Sequence, residues 1–244
     1  MEKYRVITAF GGVFGLGGPI TSCGFSYVGY KEEGTSIIEE TGRVLIDGDE
    51  VMFRDLSQRI KKNAVVCVLG IKKENVIEAK EIINVKPDSE ESDFLKKQAT
   101  PVAFIDEQFG LFELDKSVNN FNGKINYQGE NIRVALDGEK EYIETFRKLY
   151  ADFETVLKNA ANYAAEELLE LANDWGEDDW DEDDGEYVPL TEQDFIERLT
   201  LQSIVISEEG TYSLWYDDGD MFWGHAISVD GDLQNGITDA SMEG

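Results

Sequence analysis

His225 is the chain's one histidine. Histidine-pair metal sites are therefore ruled out, and His225 is the single candidate for a general base of the usual kind. It follows Trp223-Gly224 and stands close in sequence to Asp217, Asp218 and Asp220. His225 paired with Asp218 or Asp220, with or without a divalent cation, would be the arrangement of a metal-assisted or His/Asp-based hydrolase. No serine or cysteine is placed beside it as a nucleophile. The simpler reading is a structural histidine, hydrogen-bonded near a sheet surface. Asp217-Asp218-Gly219-Asp220 and Asp230-Gly231-Asp232 resemble fragments of a calcium loop. Both lack the further oxygens and terminal Glu that such a loop requires, so each reads as a β-turn. The glycine-dense residues 11–18 follow a strand but open no helix, which favours a loop over a phosphate cradle.

A second kind of chemistry lies between Glu166 and Glu197, where fifteen Asp and Glu residues occur without a Lys or Arg. At its centre Trp175, Trp180 and Tyr187 interleave with Glu177, Asp178, Asp179, Asp181, Glu182, Asp183 and Asp184. Carboxylates at this density repel nucleic acid and anionic membrane, and attract basic protein surfaces or cations. The tract reads either as a solvated loop or as an interface ordered by a partner, with the aromatics as anchors. These two readings are compatible. Weak divalent-cation binding by the tract is the one cofactor interaction expected, and no dedicated cofactor or metal site is read.

The wider composition agrees. The chain holds 51 acids and 22 bases in 244 residues, a formal net charge of −29. Such a balance excludes unaided nucleic-acid binding, which needs Lys and Arg to displace counterions from phosphate. Residues 1–92 carry fifteen acids and twelve bases, and residues 93–244 carry 36 and ten. The asymmetry predicts two units with different surfaces. Cys23 and Cys67 each lie in an apolar run and read as buried free thiols. No apolar run approaches the length of a membrane span and no signal peptide is read, so a cytoplasmic location with no membrane contact is expected.

The elements that must position these residues fall into an α+β pattern. Residues 1–86 read as a small β-rich barrel or sandwich. Its expected strands include Tyr4–Phe10, Phe25–Tyr30 and Val65–Leu69, with a hairpin joining Arg43–Ile46 to Val51–Phe53 through Asp47-Gly48-Asp49-Glu50. Residues 87–92 read as the linker. Residues 93–244 read as an acidic α+β domain with an antiparallel sheet and a long helix. Three strands are expected between Gly110 and Leu136. From Glu139 to about Trp175 the apolar period becomes helical, as one helix or two joined near Asn159. Thr191 is an N-cap candidate with Asp194 as its capping-box acid. Strands are then expected at Ser203–Ser207, Thr211–Tyr216 and Phe222–Val229.

Three stretches of the C-terminal region carry a family resemblance: Ala164–Trp175, Thr191–Ile206 and Asp218-Gly219-Asp220-Met221-Phe222-Trp223-Gly224-His225-Ala226-Ile227. Through them, residues from about 109 to 244 resemble an uncharacterised bacterial family, a domain of unknown function (number 2262). The resemblance implies a boundary and no mechanism. By class, acidic α+β bacterial proteins of this kind look like immunity proteins that neutralise basic toxins. The expectation is a non-enzymatic binding protein, an immunity or inhibitor protein for a basic toxin, nuclease or defence protein. The alternatives are the His225 hydrolase and a nucleic-acid mimic. Oligomeric state stays open.

Overall fold

Alternation of apolar residues in the N-terminal region makes strands. Tyr4 and Val6 on β1 (Glu2–Leu16), Phe25 and Tyr27 on β2 (Ser22–Glu32), and Val44 on β3 (Gly42–Asp47) all point into one core. Val66 and Val68 on β4 (Val65–Lys73) and Ile77 and Ala79 on β5 (Val76–Asn84) complete it. In the computed structural model, which describes residues 1–178 and 187–244 with only the backbone of Asp178, these strands close into a barrel of order β1-β2-β3-β5-β4. All neighbours are antiparallel except β3 and β5, which run parallel. This is a five-stranded Greek-key barrel of the OB type. Cys23 and Cys67 are buried free thiols in it.

The expected hairpin at residues 43–53 does not form. Asp49 instead caps a helix, α1 (Glu50–Arg59), by accepting hydrogen bonds from the Val51 and Met52 amides at 3.0 Å. Leu56 on that helix is fully buried in the barrel core. The cap wins because its side chain satisfies two amides that a helix start leaves free. Residues 11–16 also depart from the loop expectation, since they extend β1, and Val13–Leu16 pair with β2 after a register break beyond Thr8.

Residues 87–92 enter a second helix, α2 (Ser89–Ala99), whose capping box joins Asp88 and Glu91. The chain separates into unit 1, Met1–Pro101 with Lys116–Val118, and unit 2, Val102–Asp115 with Asn119–Gly244. The boundary therefore falls later than the expected 87–92 linker, because α2 belongs to unit 1. Glu91 is buried and accepts from Arg5, whose Nη2 stands 2.6 Å from Oε2. Lys31 pairs with Asp88 and Glu90 beside it. Proline and charge marked a helix start here, not a flexible joint.

The second unit is an eight-stranded sheet of order β13-β12-β11-β10-β9-β8-β7-β6. Its strands are β6 (Ala103–Asp106), β7 (Gly110–Asp115), β8 (Asn120–Tyr127) and β9 (Glu130–Asp137), then β10 (Thr200–Glu208), β11 (Thr211–Asp217), β12 (Ala226–Asp232) and β13 (Gly236–Glu243). Each half is an antiparallel meander, and β9 and β10 join the halves in parallel. That single parallel pair follows from the helical crossover between them, since parallel neighbours cannot be joined by a tight turn. The crossover contains α3 (Ile143–Ala151), α4 (Phe153–Asp178) and α5 (Glu192–Arg198). Its apolar stripe, including Phe146, Leu149, Ala160, Ala164 and Leu168, packs on Ile132, Val134, Ile204, Leu214 and Ile227 from the sheet. The helices break at Asp152, about two turns before the expected joint near Asn159. Thr191 and Asp194 form the expected capping box on α5.

Candidate functional site

The family-like segment Asp218–His225 is a turn, with the strand beginning only at Ala226. Four of its residues take left-handed backbone conformations: Gly219 (φ 58°), Asp220 (φ 64°), Trp223 (φ 55°) and Gly224 (φ 84°). Glycine adopts these angles freely, whereas aspartate and tryptophan do so at a cost. The surrounding structure compels them. Asp218 is buried, and its carboxylate accepts from the Asp220 amide at 3.2 Å and the Phe222 amide at 2.6 Å. Met221 and Phe222 anchor the turn in the core. Between these anchors the chain thrusts Trp223 outward, leaving it 61% exposed.

Trp223 does not stand alone. Its indole lies 4.7 Å from that of Trp175 in α4. Trp175 is half-buried against the core and also meets Phe222 and His225 edge-on, each at 5.6 Å. The sequence-predicted anchor Trp175 is thus the supporting layer, and the exposed face belongs to Trp223.

The acidic tract leaves this cluster directly. Glu177 is exposed in the last turn of α4, and Asp178 ends that helix. Asp179, Trp180, Asp181, Glu182, Asp183 and Asp184 lie outside the described residues. The chain returns at Tyr187, whose hydroxyl donates to the backbone oxygen and Oδ1 of Asn173, both at 3.1 Å. Asn173 Oδ1 also accepts from the Leu190 amide at 2.6 Å, while its Nδ2 donates to the Leu190 carbonyl. One asparagine therefore pins the returning chain to the helix it left. Gly176 makes room, because a Cβ there would stand 2.6 Å from the Tyr187 hydroxyl. Burial and the Glu177 charge push the Tyr187 phenol upward, so it stays a hydrogen-bond donor.

The hydrolase arrangement is not assembled. His225 Nδ1 is bonded to the Phe222 carbonyl, and both Asp218 oxygens are occupied by backbone amides. Among the described residues His225 makes no ion pair with Asp218 or Asp220. Asp218 is a turn-former, since a buried carboxylate needs donors and the nearest are backbone N–H groups. No group of three or more His, Cys, Asp or Glu residues among those described is placed to hold a metal ion.

Sequence reasoning passed over Trp223 and Asn173 as functional residues, although both lie within the family-like stretches. The signal for Trp223 was a bulky residue between Gly219 and Gly224, where tight turns concentrate.

The unit boundary sharpens the charge asymmetry. Unit 1 holds 16 acids and 15 bases, and unit 2 holds 35 acids and seven bases. The net charge is −1 on the first and −28 on the second.

No helix among the described residues is long and apolar enough to cross a membrane. None of the curated proteins compared with this chain matches it. A solved chain described as "Molecular basis for abrogation of activation of pro-inflammatory cytokines" is 15% identical, with 57% of this chain and 77% of that one covered, at a TM-score of 0.22. That likeness carries no argument about fold or function. A family model does match, over residues 106–242, which is more than half of the chain and takes in most of the second unit. The chain belongs to the family described as uncharacterized protein conserved in bacteria, DUF2262.

Proposed function

We propose that unit 2 is an acidic binding module, an immunity or inhibitor protein that captures a basic toxin, nuclease or defence protein. The observation that carries this reading is the Trp175–Trp223 pair at the root of the acidic tract. An exposed indole packed against a second one is a usual form of an interface anchor. It also offers a face on which an arginine or lysine of the partner can stack. The strained turn supports the same reading, because strain persists where the structure over-determines it, and such places concentrate at ligand clamps. Thirty-five acids against seven bases supply steering, with association at about 10⁸ M⁻¹s⁻¹ at low salt and slower as salt rises.

The test is capture of co-eluting protein from the native bacterium, with wild type compared with two variants. One replaces the acids from Glu177 to Asp184 by Asn and Gln, and the other is W223A. A basic partner held by wild type and lost by both variants supports the reading. Equal capture by all three sinks it.

A further inference from the structure

We propose that the helix-free face of the unit 2 sheet is a mononucleotide site, with Lys124 and Arg133 holding the phosphate and Trp215 supporting the base. This goes beyond the basic-partner reading and uses none of its residues.

Cross-strand register places the residues together. Lys124 on β8 stands directly opposite Arg133 on β9, Arg133 opposite Ser203 on β10, and Ser203 opposite Trp215 on β11. Residues directly opposite share a face. Their neighbours along each strand, such as Ile132, Val134, Leu214 and Tyr216, point the other way into the core under the helices. Lys124, Arg133 and Trp215 therefore form one row on the open face. Strands lie about 4.8 Å apart, so Arg133 and Trp215, two strands apart, are separated by about 10 Å at the backbone. That spacing suits a ligand with an anionic end and a flat end.

The charge pattern names the ligand's first half. Unit 2 has only seven basic side chains among its 35 acids. Two of the seven face each other in register, and both are exposed. Like charges directly opposite oppose sheet formation. Among the described residues neither has an acid within ion-pair distance. An anion bridging them removes the repulsion, and Arg offers a phosphate two parallel N–H donors.

The second half follows from the groove of about 650 Å³ that runs from Arg133 past Trp215. Its rim carries Gln202, Asp217 and His225. An amide, a carboxylate and an imidazole beside an indole can hydrogen-bond the edge of a base stacked there. A nucleic-acid polymer would bring many phosphates over an acidic surface, whereas a mononucleotide brings its phosphate to the one basic pair.

Titration of the full chain with AMP, followed by tryptophan fluorescence and calorimetry, tests the site. Adenosine and inorganic phosphate serve as comparison ligands. AMP is expected to bind saturably and more tightly than either. K124Q and R133Q should each weaken it about tenfold. R133K should weaken it less than R133Q. W215L should weaken AMP while leaving inorganic phosphate unchanged. Both charged residues are exposed, so these variants are expected to fold, and circular dichroism checks it. The proposal is overturned if AMP fails to saturate the protein, if R133Q binds as wild type does, or if AMP binds no more tightly than inorganic phosphate.

Discussion

Trp175 and Trp223 meet at 4.7 Å with their ring planes 43° apart, one indole rooted in the core and the other 61% exposed. Residues 48 positions apart in sequence thus form one aromatic surface. Its outer member sits at φ 55°, an angle that a bulky side chain adopts only under constraint.

That angle makes W223G informative. Glycine relieves the backbone strain while removing the exposed ring. Stability is expected to change by less than about 1 kcal/mol in thermal unfolding, because the lost indole contacts oppose the relieved strain. Partner capture should fall at least about tenfold. A large loss of stability would show that the ring serves the fold and not a partner.

Asp218 should behave as a structural residue. D218A leaves the Asp220 and Phe222 amides without their acceptor. Urea denaturation is expected to show a loss of about 2 kcal/mol. A D218A protein of unchanged stability would reopen a chemical role for that carboxylate.

Tyr216 carries a hydroxyl that is buried and lacks a hydrogen-bond partner in the described structure. Burial pushes its phenol up, so it remains protonated and gains nothing from its polar atom. Y216F is therefore expected to be neutral or to stabilise by up to about 1 kcal/mol. Chemical denaturation of the variant beside wild type decides it, and a loss above that size would reveal a partner for the hydroxyl.

Glu91 predicts an acid-sensitive unit 1. Burial alone would raise its carboxyl, but the Arg5 guanidinium, the Asp88 amide and Lys31 outweigh burial and hold it below the ordinary range. A carboxyl depressed in the folded state contributes stability that is present above its unfolded value, about 4.3, and is lost as pH falls through the folded one. Unit 1 should weaken progressively below about pH 5. E91Q should lose about 3 kcal/mol at neutral pH and show a flatter pH profile. Parallel profiles for E91Q and wild type would contradict this account.

Much of the architecture was legible from local pattern. The capping box at Thr191 and Asp194, the alternation in β2 and β11, and the helical period after Glu139 each depend on neighbours a few residues away. The α+β class and the charge asymmetry followed from the same kind of reading. Local signals misled where two of them coincided. Asp47-Gly48-Asp49 is a fair hairpin turn, yet Asp49 caps a helix because Leu56 has a barrel core to fill. Pro87 and the acids after it look like a linker, yet Arg5, 86 residues before Glu91, recruits that glutamate into a buried pair. The edge strands β6 and β13 are not legible from local pattern, since β6 is four residues long and β13 buries no side chain fully.

The sequence by itself determined which residues are apolar, where helices cap, and that most of the negative charge lies in the C-terminal half. Only the tertiary structure decided that His225 bonds a backbone carbonyl, that Asp218 holds a turn, and that Trp175 is the support for Trp223. It also decided that Lys124 and Arg133 stand side by side on an acidic unit. Strand register, core competition and the bonding of buried carboxylates are long-range quantities, set by residues that no local window contains.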